Sequence, residues 1–147
     1  MTERLVLRPA TDAEMEELIA GTPDEDIKTA YGEMLAGCRA HPAERQWYAV
    51  WFYSLKDGTV VGDLSFKGVS PDGMTEIGYG VYSAFAGQGY TTEAVIAAAR
   101  WAQKQPGITR VEAETEPDNR ASQRVLEKAG FRPTGTCGLE GPRYYLI

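Results

Sequence analysis

The sequence is poor in the residues on which several kinds of function depend. It has one histidine and two cysteines in 147 residues. No Cys/His cluster falls at metal-ligand spacing, so no metal centre is expected. The lone histidine, His41, precedes Pro42 in a loop-like stretch and reads as a surface residue. Cys38 and Cys137 lie far apart and read as reduced thiols. No apolar run is long enough to cross a bilayer. The opening Met1-Thr2-Glu3-Arg4 passes straight into Leu5-Val6-Leu7, without an apolar signal region. The protein is therefore expected in the cytoplasm, with no membrane partner. Bases are scarce too: 15 Lys and Arg against 21 Asp and Glu leave a net charge of −6. A nucleic-acid surface needs a basic stripe, so no nucleic-acid partner is expected. The acid excess suits a cationic or amine ligand.

What remains is an ordinary globular composition, 43% hydrophobic and 24% charged. The length fits one core, so residues 1–147 are read as a single domain. No repeat, low-complexity segment or linker interrupts it. Arg4 to Arg8 alternates, with Leu5 and Leu7 on one face, and reads as a strand. Thr11-Asp12-Ala13-Glu14 is a capping box opening a helix that carries Met15, Leu18 and Ile19 on one face. Thr22-Pro23-Asp24-Glu25 repeats the device, with Pro23 expected at the first helical position of a second amphipathic helix. Trp47–Ser54, Val60–Lys67 and Thr75–Tyr82 read as an antiparallel meander, with turns at Lys56-Asp57-Gly58 and Pro71-Asp72-Gly73. Trp47, Trp51 and Phe52 are expected in the core along the first of these strands. Thr91–Lys104 is apolar nearly all round and reads as a buried helix. Ile108–Thr115 is a strand, and Asn119–Ala129 a helix capped by Asn119 and closed by Gly130. Phe131–Gly135 and Arg143–Ile147 are the last strands. Of Tyr144 and Tyr145, only one can face a cleft. The order is β-α-α-β-β-β-α-β-α-β-β, an α/β (α+β) fold. It implies a mixed sheet of about seven strands flanked by about four helices, with a parallel pair at the central β-α-β crossover.

The strongest chemical signal follows the meander. Ala86-Gly87-Gln88-Gly89-Tyr90-Thr91-Thr92 leaves a strand and opens a helix. The first N–H groups of a helix have no intrahelical partner, and the helix dipole adds partial positive charge there. Two glycines let the backbone approach a ligand with no Cβ in the way. The stretch therefore reads as a pyrophosphate site, with Thr91 and Thr92 as possible hydroxyl donors. It is not a P-loop, because Lys and Ser/Thr do not follow at the required spacing. It also fails as a dinucleotide fingerprint, because Thr92 occupies the third glycine position. The competing reading is a plain turn with a helix cap.

Four segments carry a resemblance: Glu76-Ile77-Gly78-Tyr79, Gly87 through Ala94, Glu114 through Ser122, and Val125 through Phe131. Together, in this order, they resemble the GNAT N-acetyltransferases, and most of all the RimJ/RimL-like branch that acetylates ribosomal-protein N-termini. Phe66-Lys67-Gly68 has the look of that branch as well. Two positions depart from the family: Ala86 stands where Arg or Gln is usual, and Thr91 where Gly or Ala is usual. The first removes a positive side chain near the phosphates.

The resemblance implies the GNAT acyl-CoA fold. It also implies direct transfer of acetyl from acetyl-CoA to a primary amine, on a peptide N-terminus or a small molecule, in a ternary complex. The phosphates would lie on Gly87, Gln88, Gly89, Tyr90, Thr91 and Thr92. The pantetheine arm would pair with the backbone of Gly80, Val81 and Tyr82, near Asn119 and Ser122. A backbone N–H there would hold the oxyanion. Glu114 is the first candidate for the general base and Glu76 the second. Leu126 stands where many relatives carry a tyrosine acid, and Ser122 is the candidate in its place. No acyl-enzyme is implied, so neither cysteine is needed. Asn119 reads as a helix cap whether or not it also touches the cofactor. The family allows a monomer or a homodimer. The departures at Ala86 and Leu126 keep open a second reading, an acyl-CoA-binding sensor or scaffold without turnover.

Overall fold

Alternating apolar residues set the strands, and their register places the site. The computed structural model describes residues 2, 4–81, 89–139 and 141–146. Strands β1 (Leu5–Pro9), β2 (Val50–Leu55), β3 (Val60–Val69), β4 (Met74–Val81), β5 (Arg110–Glu114), β6 (Arg132–Cys137) and β7 (Pro142–Leu146) form one sheet. Their order across it is β1-β2-β3-β4-β5-β7-β6. Among the described residues only the β4–β5 pair is parallel. The helices are α1 (Asp12–Gly21), α2 (Glu25–Ala40), α3 (Tyr90–Gln103) and α4 (Arg120–Lys128), and a short 3-10 helix spans Pro42–Trp47.

The strand pleat sends alternate residues to two different cores. On one face Leu64, Phe66, Ile77, Val111, Ala113 and Tyr144 pack with Ala94, Val95, Ala98 and Ala102 of α3 and Leu126 of α4. On the other, Val50 joins Met15 of α1 and Leu35 and Cys38 of α2. A polar strip of β3, β4, β5 and β7 continues that second face beyond the α1/α2 core. It carries Asp63, Lys67, Glu76, Glu112, Glu114 and Arg143.

Several expectations hold at the level of single hydrogen bonds. Thr11 accepts from the Glu14 N–H at 3.2 Å, and the Glu14 carboxylate accepts from the Thr11 N–H at 3.0 Å. The Asn119 side chain accepts from the Ser122 N–H at 3.1 Å. Gly130 takes φ +92° just past α4, where a β-carbon would be strained.

Others need correction. The cap of α2 is Asp24, whose carboxylate accepts from Asp26 and Ile27, so Pro23 lies ahead of the helix rather than inside it. An aspartate with two backbone N–H groups in reach is the stronger cap. Thr22 instead ends α1, donating its hydroxyl to the Leu18 carbonyl at 2.6 Å. The first meander strand starts at Val50, not Trp47, because Pro42 fixes a backbone that coils into the 3-10 turn. Trp47 still reaches the core from that turn, edge-on to Phe66 and tilted against Trp101. Helix α3 buries one side only, with Arg100 exposed on the other. Alanines made its outer face look apolar in sequence. Strand β6 runs on to Cys137.

Candidate active site

The sheet opens where its one parallel pair ends. β4 and β5 are paired at Met74–Arg110, Thr75–Val111 and Glu76–Glu112, and no further. Beyond that point β4 stays with β3 as far as Gly62–Val81, while β5 stays with β7 as far as Glu114–Arg143. The facing edges of β4 and β5 therefore part after Glu76 and Glu112. Such a gap presents backbone donors and acceptors to a ligand that lies along β4 like an added strand. Gly80 and Val81 are on this stretch of β4. Tyr82, Ala86, Gly87 and Gln88 lie outside the described residues.

The start of α3 is described from Gly89 onward. Gly89 is its cap, in the left-handed region at φ +78°, and offers no side-chain cap of its own. The first intrahelical bond runs from the Glu93 N–H to the Gly89 carbonyl, 3.1 Å. The N–H groups of Tyr90, Thr91 and Thr92 thus stand ahead of the helical ladder. The Thr91 hydroxyl is turned inward, 3.3 Å from the buried Tyr53 hydroxyl, so Thr91 is better placed to act through its backbone.

Arg4 was not read from the sequence as a site residue. Its guanidinium lies 4.7 Å from the centre of the Tyr90 ring, and Nε is 2.7 Å from the Glu93 carboxylate. Its Nη2 stands 3.4 Å from where a β-carbon on Gly89 would be. A cation from the start of the chain therefore reaches the helix end whose own loop lacks one at Ala86. Only the fold brings two such distant positions together.

On the α3/α4 face, Tyr79 and Ser122 meet. The Tyr79 hydroxyl is 2.8 Å from Ser122 Oγ and donates to the Ser122 carbonyl at 3.1 Å. Burial holds the phenol above its ordinary pKa, outweighing the bond to Ser122, so it keeps its proton at neutral pH. Tyr79 was quoted above as part of a motif but given no role. The signal was available: alternation with Ile77 puts its side chain on the helix-covered face. Leu126, the position of the missing family tyrosine, is fully buried in the core.

On the opposite face three glutamates surround one arginine. Arg143 bonds Glu114 at 2.7 Å, Glu112 at 2.9 Å and Glu76 at 3.0 Å. Lys67 adds a 2.9 Å ion pair to Glu76, and Arg110 Nε lies 2.9 Å from the Glu112 carboxylate without hydrogen-bond geometry. Burial disfavours the Arg143 charge, but the hydrogen bonds to Glu112, Glu114 and Glu76 outweigh it and raise its pKa. Glu114, with its side chain 9% exposed, also packs against Gly138, where any side chain would overlap its carboxylate. The structure thus brings Glu76 and Glu114 together through a shared cation. It sets Ser122 apart from them, on the other side of the sheet. Tyr145 shares the carboxylate face, under Arg110 at 5.1 Å, while Tyr144 is buried on the helix side. Among the described residues no group of histidine, cysteine and carboxylates could hold a metal ion, and no helix is long and apolar enough to cross a membrane.

Comparison with known proteins identifies the family. The acetyltransferase (GNAT) domain family matches residues 4–132. The chain belongs to that family. An uncharacterised N-acetyltransferase of Bacillus subtilis strain 168, YjdG, is 38% identical over 84 residues, covering 55% of this chain and 49% of that protein. The match thus spans about half the length of that relative. Among solved structures, an acetyltransferase from Agrobacterium tumefaciens superimposes with a TM-score of 0.76 at 22% identity, covering 100% of this chain and 92% of the other. RimL, a ribosomal L7/L12 alpha-N-protein acetyltransferase in complex with coenzyme A, gives 0.74 at 20% identity, covering 99% and 95%. These two share the fold.

Proposed function

We infer that the chain transfers the acetyl group of acetyl-CoA directly to a primary amine. One observation carries this reading. The gap between β4 and β5 has a carboxylate-rich face on one side and a phenol–hydroxyl pair on the other. An amine and a thioester can approach it from opposite sides of the sheet.

The roles follow from position. The N–H groups of Gly89, Tyr90, Thr91 and Thr92, with Arg4 beside them, hold the pyrophosphate. Gly87 and Gln88 complete that loop. The pantetheine arm lies along Gly80, Val81 and Tyr82, near Asn119 at the start of α4. A β4 backbone N–H holds the oxyanion that forms when the amine nitrogen attacks the carbonyl carbon. Glu114 takes the amine proton. It lies past the last β4–β5 pair, beside the gap, whereas Glu76 sits within that pair. Arg143 Nη1 occupies Glu114 Oε1 at 2.7 Å, which favours proton transfer through a water to the other carboxylate oxygen. As the C–S bond breaks, the departing thiolate takes a proton from the Tyr79–Ser122 pair. Tyr79 provides a phenol from a strand where relatives provide one from the last helix, and this favours turnover over a binding-only role.

The test is thiol release from acetyl-CoA by the full chain, with and without a panel of small amines and peptide N-termini. Amine-dependent release is expected. Tight acetyl-CoA binding with no release for any amine would favour the sensor or scaffold instead.

A further inference from the structure

One carboxylate on the amine-facing side is held differently from the rest. Glu76, Glu112 and Glu114 each meet a cation within 3.0 Å. Asp63, on β3, meets none within ion-pair distance among the described residues. Its partner is a neutral group, the Tyr31 hydroxyl of α2, which donates a hydrogen bond to it. The cations on either side are already engaged. Arg8 lies two strands away across the Arg8–Phe52 and Phe52–Asp63 pairings, and both its terminal nitrogens bond Glu14 at 2.7 Å. Lys67, further along β3, bonds Glu76.

The backbone register says what an ammonium at Asp63 would be attached to. Asp63 pairs with Gly80, and Ser65 with Gly78. Two of the β4 positions on this face, between Asp63 and the gap, are therefore glycines. Gly78 is not imposed by conformation or packing: its φ is not positive, and a β-carbon there would meet nothing nearer than 3.7 Å. A bare strip of β4 backbone thus leads from Asp63 to the gap. It is about one and a half strand spacings wide, roughly 7 Å. A chain of about four or five methylenes spans that distance.

We propose that Asp63 is a specificity residue of the acceptor site, and that the site fits an acceptor with a second ammonium group, a diamine or longer polyamine. The distal ammonium bonds the Asp63 carboxylate, with the Tyr31 and Phe52 rings near by. The methylenes cross Gly78 and Gly80, and the other nitrogen reaches the gap. Burial holds Asp63 above the usual carboxylate pKa, so a cation that bonds it removes an existing penalty. The proposal rests on the amine-transfer reading and narrows it.

The experiment compares 1,4-diaminobutane with 1-aminobutane, by thiol release from acetyl-CoA and by calorimetric binding to the chain loaded with coenzyme A. The expected preference for the diamine in kcat/KM is about tenfold or more. Asp63→Asn is expected to bring the ratio toward one, and Asp63→Glu to restore part of it. Equal kcat/KM for the two amines, or a preference unchanged in Asp63→Asn, would overturn the proposal. Diamine binding that depends on Asp63 without thiol release would uphold this site and sink the transfer reading. Thiol release with peptide N-termini but no diamine binding would do the reverse.

Discussion

The Tyr79 hydroxyl lies 2.8 Å from the Ser122 hydroxyl, joining β4 to the first turn of α4 across the α3/α4 face of the sheet. Tyr79 leaves β4 just where that strand has parted from β5, and Ser122 is held in place by the Asn119 cap. The pair can pass a proton between two hydroxyls beside the gap.

If the pair protonates the departing thiolate, each member should matter to turnover more than to binding. Tyr79→Phe and Ser122→Ala are each expected to lower kcat about a hundredfold, with the KM for acetyl-CoA changed far less. The double variant should be little worse than either single one, because the two hydroxyls act as a unit. Steady-state kinetics on the three variants checks this. Full activity in Tyr79→Phe would move the acid elsewhere.

Arg143 is the shared partner of three glutamates, so its removal should cost more than one ion pair. Arg143→Met is expected to destabilise the fold by about 3 kcal/mol at neutral pH. Lys67 and Arg110 still oppose Glu76 and Glu112, which limits the loss. Thermal unfolding of both forms at neutral pH reads it out.

Much of this was legible beforehand because it depends on local chemistry. Capping at Thr11 and Asn119, the turns at Gly58 and Gly73, and the succession of seven strands and four helices along the chain all follow from residues close in sequence. The errors also have local causes. At Trp47 an aromatic-rich stretch looked like strand, but the Pro42 turn decides the backbone. At Asp24 two capping residues competed, and the aspartate won. Candidates for the site came from motif, as at Glu114, Glu76 and Ser122. Arg4, Asp63 and the Tyr79–Ser122 contact were not legible. Each depends on which strand lies beside which, and no spacing in one sequence encodes that.

Arg4 offers a test of how the phosphate site makes up for Ala86. Arg4→Ala is expected to weaken acetyl-CoA binding about five- to tenfold, with kcat at saturation nearly unchanged. Binding of acetyl-pantetheine, which lacks the phosphates, should not respond. Calorimetry with both ligands separates a phosphate contact from a general loss of the Thr2–Arg4–Glu93 clasp that ties the N-terminal segment to α3.

Asp63 should cost stability where it is needed for binding. Its folded-state pKa is raised, so the penalty for its charge appears as the pH rises through that raised value. Below the unfolded-state value both states are protonated, and the penalty vanishes. Asp63→Asn is therefore expected to raise the melting midpoint at about pH 8 and to leave it unchanged near pH 3. A midpoint that falls at about pH 8 would mean the carboxylate has a stabilising partner instead.

The central claim is amine-dependent transfer, and the direct measurement is a product balance. The full chain is mixed with acetyl-CoA and an amine, and free thiol and acetylated amine are measured together. Equal amounts of both, formed at a rate that saturates with amine concentration, are the expected result. Acetyl-CoA binding without either product, across small amines, polyamines and peptide N-termini, would contradict it.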